Sequence, residues 1–292
     1  MGAAQHGCAV ALKSAAIEDP VREARLLLGF VLGGGPERVL ADRDAVLSET
    51  QSSALAGVLA QRCQRVPMAQ ILGLREFWSL ELKVTAATLT PRPDTETLVE
   101  AVLDHVAGGP KTILDLGTGT GCILMALLSE WPGAVGLGVD VSADALAVAR
   151  HNAVRLGLAE RLDLVVGDWT VEGWSKSLGG PFSVVVSNPP YIASAEIDGL
   201  DADVRCHEPL SALDGGGDGL HAYRTIIQGL NDLLAVGGVA GFEVGIGQAL
   251  AVEALARSVG LTVLETRCDL GGISRAVVVQ KVHGNGCLGA NK

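Results

Sequence analysis

Asp115-Leu116-Gly117-Thr118-Gly119-Thr120-Gly121 closes a short apolar, β-rich run and opens the apolar stretch 122–130 at helical spacing. A strand that ends in glycines directly before a helix places bare main chain at the carboxyl edge of an open α/β sheet, where ligands of such sheets bind. Glycine is needed there because the turn requires dihedrals that a Cβ disfavours, and because a ligand must lie against uncovered backbone. Taken alone the turn is a weak signal, more often a tight structural corner than a cofactor loop, so the flanking pattern has to decide.

That pattern repeats outward from the turn. Short β-rich runs at 112–116, 135–140, 162–166, 183–187, 239–243, 261–265 and 276–280 alternate with segments at helical spacing. The alternation predicts an α/β fold with a doubly wound, mostly parallel seven-stranded sheet. Composition agrees: 48% of the 292 residues are hydrophobic but only 3% aromatic, so the interior is Ala, Val, Leu and Ile, the usual filling of helix-covered parallel sheets.

Ahead of the sheet, Ala24, Leu27, Leu28 and Val31 recur at helical spacing, predicting a small helical domain over 1–66 with Asp42 or Ser48 as helix caps. The alternating run Phe77-Trp78-Ser79-Leu80-Glu81-Leu82-Lys83-Val84 predicts a hairpin connector over 67–92. Pro91 and Pro93 restrict the backbone around Arg92, and Asp94 with Thr95 offers a cap for a helix through Leu98, Val99 and Val102. The second domain is expected over 93–283, and 284–292 as a disordered polar tail.

A formal net charge of −11 gives no general attraction to polyphosphate, so direct nucleic-acid binding is not expected. Cys8, Cys63, Cys122, Cys206, Cys268 and Cys287 form no CxxC pair, suggesting reduced thiols with neither a disulfide framework nor a metal site. No secretory signal is legible at the start and no apolar run is long enough for a bilayer, so a cytoplasmic protein without a membrane role is expected.

The second strand ends at Asp140, about 20 residues past the glycines, where a carboxylate can accept both hydroxyl hydrogens of an adenosine ribose; a helix N-cap is the plainer role, and Ser142 can fill that instead. The Gly-x-Gly-x-Gly spacing departs from the dinucleotide fingerprint, which keeps two residues before its third glycine to seat a pyrophosphate. S-adenosylmethionine therefore ranks above NAD, with Gly117, Thr118, Gly119, Thr120 and Gly121 against it. Asp168 and Trp169, at the end of the third strand, supply an acceptor and an aromatic face for adenine.

After the run 182–187 comes Asn188-Pro189-Pro190-Tyr191, again at the carboxyl edge. An amide nitrogen is a poor nucleophile because its lone pair is delocalised, so methylating it requires acceptors that hold its two hydrogens and align it with the transferable methyl. The Asn188 side-chain oxygen and the Pro189 carbonyl suit that role, Pro189 and Pro190 lack N–H groups that would fold the segment back, and Tyr191 can stack on a planar amide. As a lone tetrapeptide it is an ordinary turn; following a glycine loop, a ribose-type acid and an Asp-Trp at successive strand ends, it completes a site.

With these two motifs, with Arg62 to Gly73 around Pro67, with Thr90-Pro91-Arg92-Pro93-Asp94-Thr95-Glu96, and with Glu208, Leu213, Gly215, Asp218 and Tyr223, the chain resembles the bacterial release-factor glutamine methyltransferases, the HemK/PrmC family, over nearly its whole length. The resemblance implies a helical substrate-recognition domain joined by a hairpin to a class I S-adenosylmethionine-dependent methyltransferase domain. It also implies a cytoplasmic enzyme that methylates the glutamine of the Gly-Gly-Gln loop in class I peptide-chain release factors, modulating translation termination, and yields S-adenosylhomocysteine. By motif position, the residues Gly117 to Gly121, Asp140, Trp169 and Asn188 would contact the cofactor, and Asn188 to Tyr191 the substrate glutamine. Gln70 stands where the family often has an aromatic. Two other acceptors fit the same chemistry: a glutamine of a ribosomal protein, and the exocyclic amine of a flipped adenine in DNA.

Overall fold

The computed structural model describes residues 1–41 and 45–282. Asp42 and the tail expected over 284–292 lie outside the described residues. The elements run α1 (Gly2–Ser14), α2 (Pro20–Val31), α3 (Pro36–Ala41), α4 (Glu49–Cys63), α5 (Met68–Leu72), β1 (Leu74–Phe77), β2 (Leu80–Lys83), α6 (Glu96–His105), β3 (Thr112–Leu116), α7 (Cys122–Glu130), β4 (Val135–Asp140) and α8 (Ala143–Arg155). They continue with β5 (Leu162–Val166), α9 (Trp174–Ser177), β6 (Phe182–Ser187), α10 (Ala202–His207), α11 (His221–Leu233), β7 (Leu234–Glu243), α12 (Ala249–Ser258), β8 (Thr262–Cys268) and β9 (Ser274–Gln280).

The chain forms two compact units. The first comprises Met1–Leu74 together with Leu200–Glu208, so it runs past the boundary expected at 66 and takes in α10 from far along the sequence. Its helices start where their caps dictate: the Asp19 carboxylate accepts from the Arg22 N–H ahead of Pro20 at α2, and Ser48 and Gln51 exchange both bonds of a capping box at α4. Leu12, Ala24, Leu27, Leu28, Val39 and Leu55 bury their side chains in its core. Two polar devices hold the inserted segment. Arg62, 6% exposed, pairs with Glu23 at 2.6 Å and with Asp203 at 2.8 Å, and the Gln70 amide donates to the His207 carbonyl at 3.0 Å. A buried guanidinium needs this much compensation, and the Gln70 amide ties the helix before the hairpin to the inserted segment through main chain.

In the second unit, Arg75–Gly199 with Pro209–Lys292, the sheet order is β5-β4-β3-β6-β7-β9-β8. The first five strands are parallel, and β9 runs antiparallel between β7 and β8. All seven strands expected from the sequence are present; β7 begins at Leu234, five residues earlier than the apolar run alone indicates. One face is covered by α6, α7 and α8 through Leu98, Val102, Leu124, Leu128 and Ala149, and the other by α11 and α12 through Tyr223, Ile226, Leu230 and Val252. Strand order reverses between β3 and its neighbours β4 and β6, and such a switch point opens a crevice at the carboxyl ends.

Between residues 75 and 95 the structure refines the expected connector. Trp78 and Ser79 turn the β1–β2 hairpin with φ of +52° and +58°, and the turn is pinned where Glu96 Oε1 accepts from the Trp78 N–H at 2.8 Å. Asp94 and Thr95 do not cap α6 with their side chains; a 3-10 turn at Pro93–Thr95 feeds directly into it. Asp94 pairs with Arg275 at 2.9 Å instead.

Candidate functional site

The glycine loop is built by hydrogen bonds to the next strand. As β3 ends, the Gly117 and Thr118 N–H groups both donate to the Val139 carbonyl, at 2.8 and 2.9 Å, and the turn closes with Gly121 N–H to Thr118 O at 2.7 Å. Gly117, Gly119 and Gly121 have φ of +75°, +55° and +82°, the left-handed region in which a Cβ is costly. The ring of Trp169 lies over Gly117, with Cη2 3.3 Å from where a Cβ would stand. Bare backbone is thus used on one side for the turn and on the other for close approach.

Asp140, at the tip of β4, spends both carboxylate oxygens on this architecture. Oδ2 accepts from the Gly119 N–H and Oδ1 from the Ser142 N–H, each at 2.9 Å. The N-cap of α8 is Ser142, whose hydroxyl accepts from Ala145 N–H, so Asp140 is free of that duty and faces the loop. Under the loop sits Asp115, 1% exposed, with Oδ2 accepting from the Thr118 hydroxyl at 2.7 Å and Oδ1 without a hydrogen-bond partner among the described residues. Burial pushes its carboxyl up to about 7. Asn152 on α8 is wholly buried and clamps two segments at once: its amide donates to Thr120 O and Lys83 O and accepts from Lys83 N–H.

One cavity gathers most of the expected residues. Gly117, Thr118, Gly119, Thr120, Asp140, Trp169, Asn188 and Pro190 line it, together with the segment 87–92 and residues 209, 211 and 212. The remaining expected residues border it differently. Gly121 packs against Met125 and Ala149 at the start of α7. Asp168 lies in the adjoining depression with Val141 and Pro190, its Oδ1 accepting from the backbone and hydroxyl of Thr170. Pro189 is buried, and Tyr191 is half-buried with its phenol pushed up to about 12 by burial and by the nearby Glu243.

The tetrad is held from behind by parts that no motif announces. Gln248 donates to the Tyr191 carbonyl at 2.8 Å while its Oε1 accepts from Gly245 N–H. The loop 214–219 runs against the same backbone: Gly215 N–H donates to Ile192 O and Ile192 N–H to Leu213 O. Side chains on Gly215 or Gly219 would overlap Pro190, Tyr191 or Gln248 at 2.3 to 2.8 Å. Arg92 lines the cavity, Glu96 holds the hairpin, and Glu243 lies 3% exposed beside Asn188 and Thr95.

Chemically, the cavity joins a Cβ-free cradle and an aromatic wall to an amide acceptor at the neighbouring strand end. The Cys122 thiol on its floor is pushed up to about 12 by burial, which leaves it protonated and unsuited to act as a nucleophile. Among the described residues no cluster of His, Cys, Asp or Glu could hold a metal ion, and no helix is long and apolar enough to cross a membrane.

Residues 3–73 match the family described as PrmC N-terminal domain, and residues 93–218 the methyltransferase small domain. Relatives named release factor glutamine methyltransferase include one from Rhodospirillum rubrum, 47% identical over 92% of this chain and 82% of that protein. Another, from Bradyrhizobium diazoefficiens, is 44% identical over 96% and 94%, and a third, from Salmonella typhimurium, 40% identical over 88% and 91%. Among solved structures, the hMettl16 catalytic domain in complex with a 3′UTR hairpin aligns with a TM-score of 0.57 at 19% identity, covering 76% of this chain and 82% of that one. A methyltransferase from Pyrococcus furiosus aligns at 0.52 and 17% identity, covering 70% and 90%. At such identities these two likenesses concern the fold.

Proposed function

Since this chain belongs to the release factor glutamine methyltransferase family, we propose that it methylates the side-chain amide nitrogen of the glutamine in the Gly-Gly-Gln loop of class I peptide-chain release factors, in the cytoplasm. The methyl donor is S-adenosylmethionine, which supplies an electrophilic methyl on a sulfonium and leaves as the neutral thioether S-adenosylhomocysteine. One observation carries the reading: parallel register between β3 and β6 brings the glycine loop and Asn188 to the wall of a single cavity.

The residues present fit such a donor. Gly117 and Gly119 offer backbone that any Cβ would obstruct. Asp140 sits where it can accept from ribose hydroxyls with the lone pairs left after Gly119 and Ser142, and Trp169 with Asp168 forms the adenine end. On the acceptor side, Asn188 Oδ1 and the Pro189 carbonyl hold the two amide hydrogens of the glutamine while Tyr191 covers its plane. Catalysis is then positioning: the nitrogen is aligned with the methyl, the N–C bond forms as the C–S bond breaks, and one N–H proton is lost to solvent. The helical unit 1–74 with α10 is the part that engages the rest of the release factor.

The test is transfer of labelled methyl from S-adenosylmethionine to a purified class I release factor, beside a factor whose Gly-Gly-Gln glutamine is replaced, a ribosomal protein mixture and duplex DNA. Labelling of the intact factor alone is expected. Labelling that survives the glutamine replacement, or that appears on DNA, would overturn the reading. Asn188→Ala should lower kcat by at least about 100-fold with cofactor affinity little changed.

A further inference from the structure

The buried carboxyl of Glu243 is unused by the mechanism above, and its position is set by the sheet. In the parallel register of β6 with β7, Val184 to Ser187 pair in turn with Val239 to Phe242. One step further along the chain come Asn188 and Glu243, and the Asn188 side chain reaches the Glu243 carboxyl. Glu243 is 3% exposed, the Asn188 amide and the Thr95 hydroxyl act on its carboxyl, Oε2 has no hydrogen-bond partner among the described residues, and its carbonyl accepts from the Tyr223 hydroxyl at 2.7 Å. A buried carboxyl with a spare oxygen beside the one side chain that must present an acceptor calls for a reason.

An asparagine amide has two ends of nearly equal shape and opposite hydrogen-bonding character. If the NH2 end faced the substrate amide, donor would meet donor and the glutamine nitrogen would be repelled. Nothing in Asn188 itself chooses between the two orientations. We propose that Glu243 chooses: as a carboxylate it can only accept, so it takes the Asn188 N–H and leaves the Asn188 oxygen facing the cavity. Glu243 is thus a positioning residue, acting through Asn188 and never touching substrate. The inference rests on the amide-methylation reading.

Ionisation gives the device a pH dependence. Burial, and the charge of Asp94, push Glu243 up to about 7, against the Thr95 hydroxyl, Arg275 and Asn188, which pull it down. The groups facing it are Arg275 from β9, Asp94 and Thr95 ahead of α6, Tyr191 after β6, Tyr223 from α11 and Cys122 at the start of α7. The two phenols and the thiol are raised and stay neutral across the range, which leaves two carboxyls titrating near 7, Glu243 and Asp115 under the glycine loop, and the Glu243→Gln comparison below separates them. Protonated Glu243 can donate to the Asn188 oxygen and compete for the atom the substrate needs. Turnover should therefore fall as pH drops through about 7.

The experiment uses the full-length enzyme and intact release factor, with Glu243→Gln and Glu243→Ala beside wild type. Expected for Glu243→Ala is a kcat loss of about 100-fold with KM and cofactor Kd changed less than about threefold. Glu243→Gln, which keeps the shape and one acceptor, should retain more activity and lose the acidic limb of kcat. A second readout needs no substrate: the side-chain NH2 signals of Asn188, assigned by their absence in Asn188→Ala, should shift with a midpoint near pH 7 in wild type and not in Glu243→Gln. Retention of the acidic limb in Glu243→Gln, equal losses in kcat and KM, or Asn188 signals indifferent to pH would overturn the proposal. If the amide signals titrate but no release factor is labelled, it is the substrate reading that fails.

Discussion

Replacing Gly219 by alanine tests whether the loop 214–219 is part of the catalytic apparatus or only a surface connection. Gly219 has φ of +73°, and a Cβ there would stand 2.3 Å from the Tyr191 carbonyl oxygen and 2.5 Å from Gln248 Nε2. An L side chain in the left-handed region costs about 1–2 kcal/mol. The overlap with Tyr191 O can be relieved only by moving the tetrad backbone or by giving up the Gln248 bond, worth about 1 kcal/mol. Together these give about 2–3 kcal/mol, a fall in melting temperature of about 5–10 °C for a unit of this size. Because the displaced carbonyl belongs to the tetrad, kcat should fall about 100-fold, while cofactor binding, on the far wall of the cavity, should hold.

Gly217, two residues earlier, is the control. It has an ordinary φ and nothing within 4 Å of its Cβ position, so Gly217→Ala should alter stability by no more than about 0.5 kcal/mol and leave kcat alone. Differential scanning calorimetry with steady-state methyl transfer on both variants decides the matter. If Gly219→Ala matches Gly217→Ala in both readouts, the loop does not hold the tetrad and the reasoning is wrong.

Asp140→Ala removes the acceptor for Gly119 and Ser142 N–H, and should raise the S-adenosylmethionine Kd by about 10- to 100-fold, measured by calorimetric titration. Asn152→Ala strips partners from Thr120 O and both Lys83 backbone groups, and should cost about 2–4 kcal/mol in urea unfolding. Asp115, held at about 7 by burial against about 4 when unfolded, binds its proton more tightly folded than unfolded. Its contribution is therefore fully present below the unfolded value and is lost as pH rises through about 7. The urea midpoint of wild type should drop between pH 5 and 8 by more than that of Asp115→Asn.

The order of strands and helices in the second unit was legible because two periods alternate without interruption and because each strand end carries a chemically distinctive residue. Where the reading fell short, the missing information was non-local. The early start of β7 at Leu234 depends on pairing with Phe182, which no local propensity records. The inclusion of 200–208 in the first unit depends on Arg62 finding Asp203 across 141 positions of sequence, and on Gln70 finding His207. Nothing in the composition of 200–208 marks it as part of a helical unit that otherwise ends at Leu74.

The candidate site divides along the same line. Residues proposed to meet a ligand could be named from the sequence because ligand contact constrains residue type: glycine where backbone must be bare, an acceptor where hydroxyls or amide hydrogens arrive. Residues that hold those groups were invisible because their constraint lies in a partner. Glutamine at 248 matters because Tyr191 O and Gly245 N–H meet its amide, and asparagine at 152 because Thr120 and Lys83 converge on it. Glu243 belongs with them: its place in the proposal comes from the Asn188 side chain beside it. The acceptors on Asn188 and Pro189 suit any planar amine, so the tetrad alone cannot distinguish a glutamine from an adenine. That choice falls to the surfaces around the cavity, and substitutions there should change which acceptor is methylated without changing how the nitrogen is held.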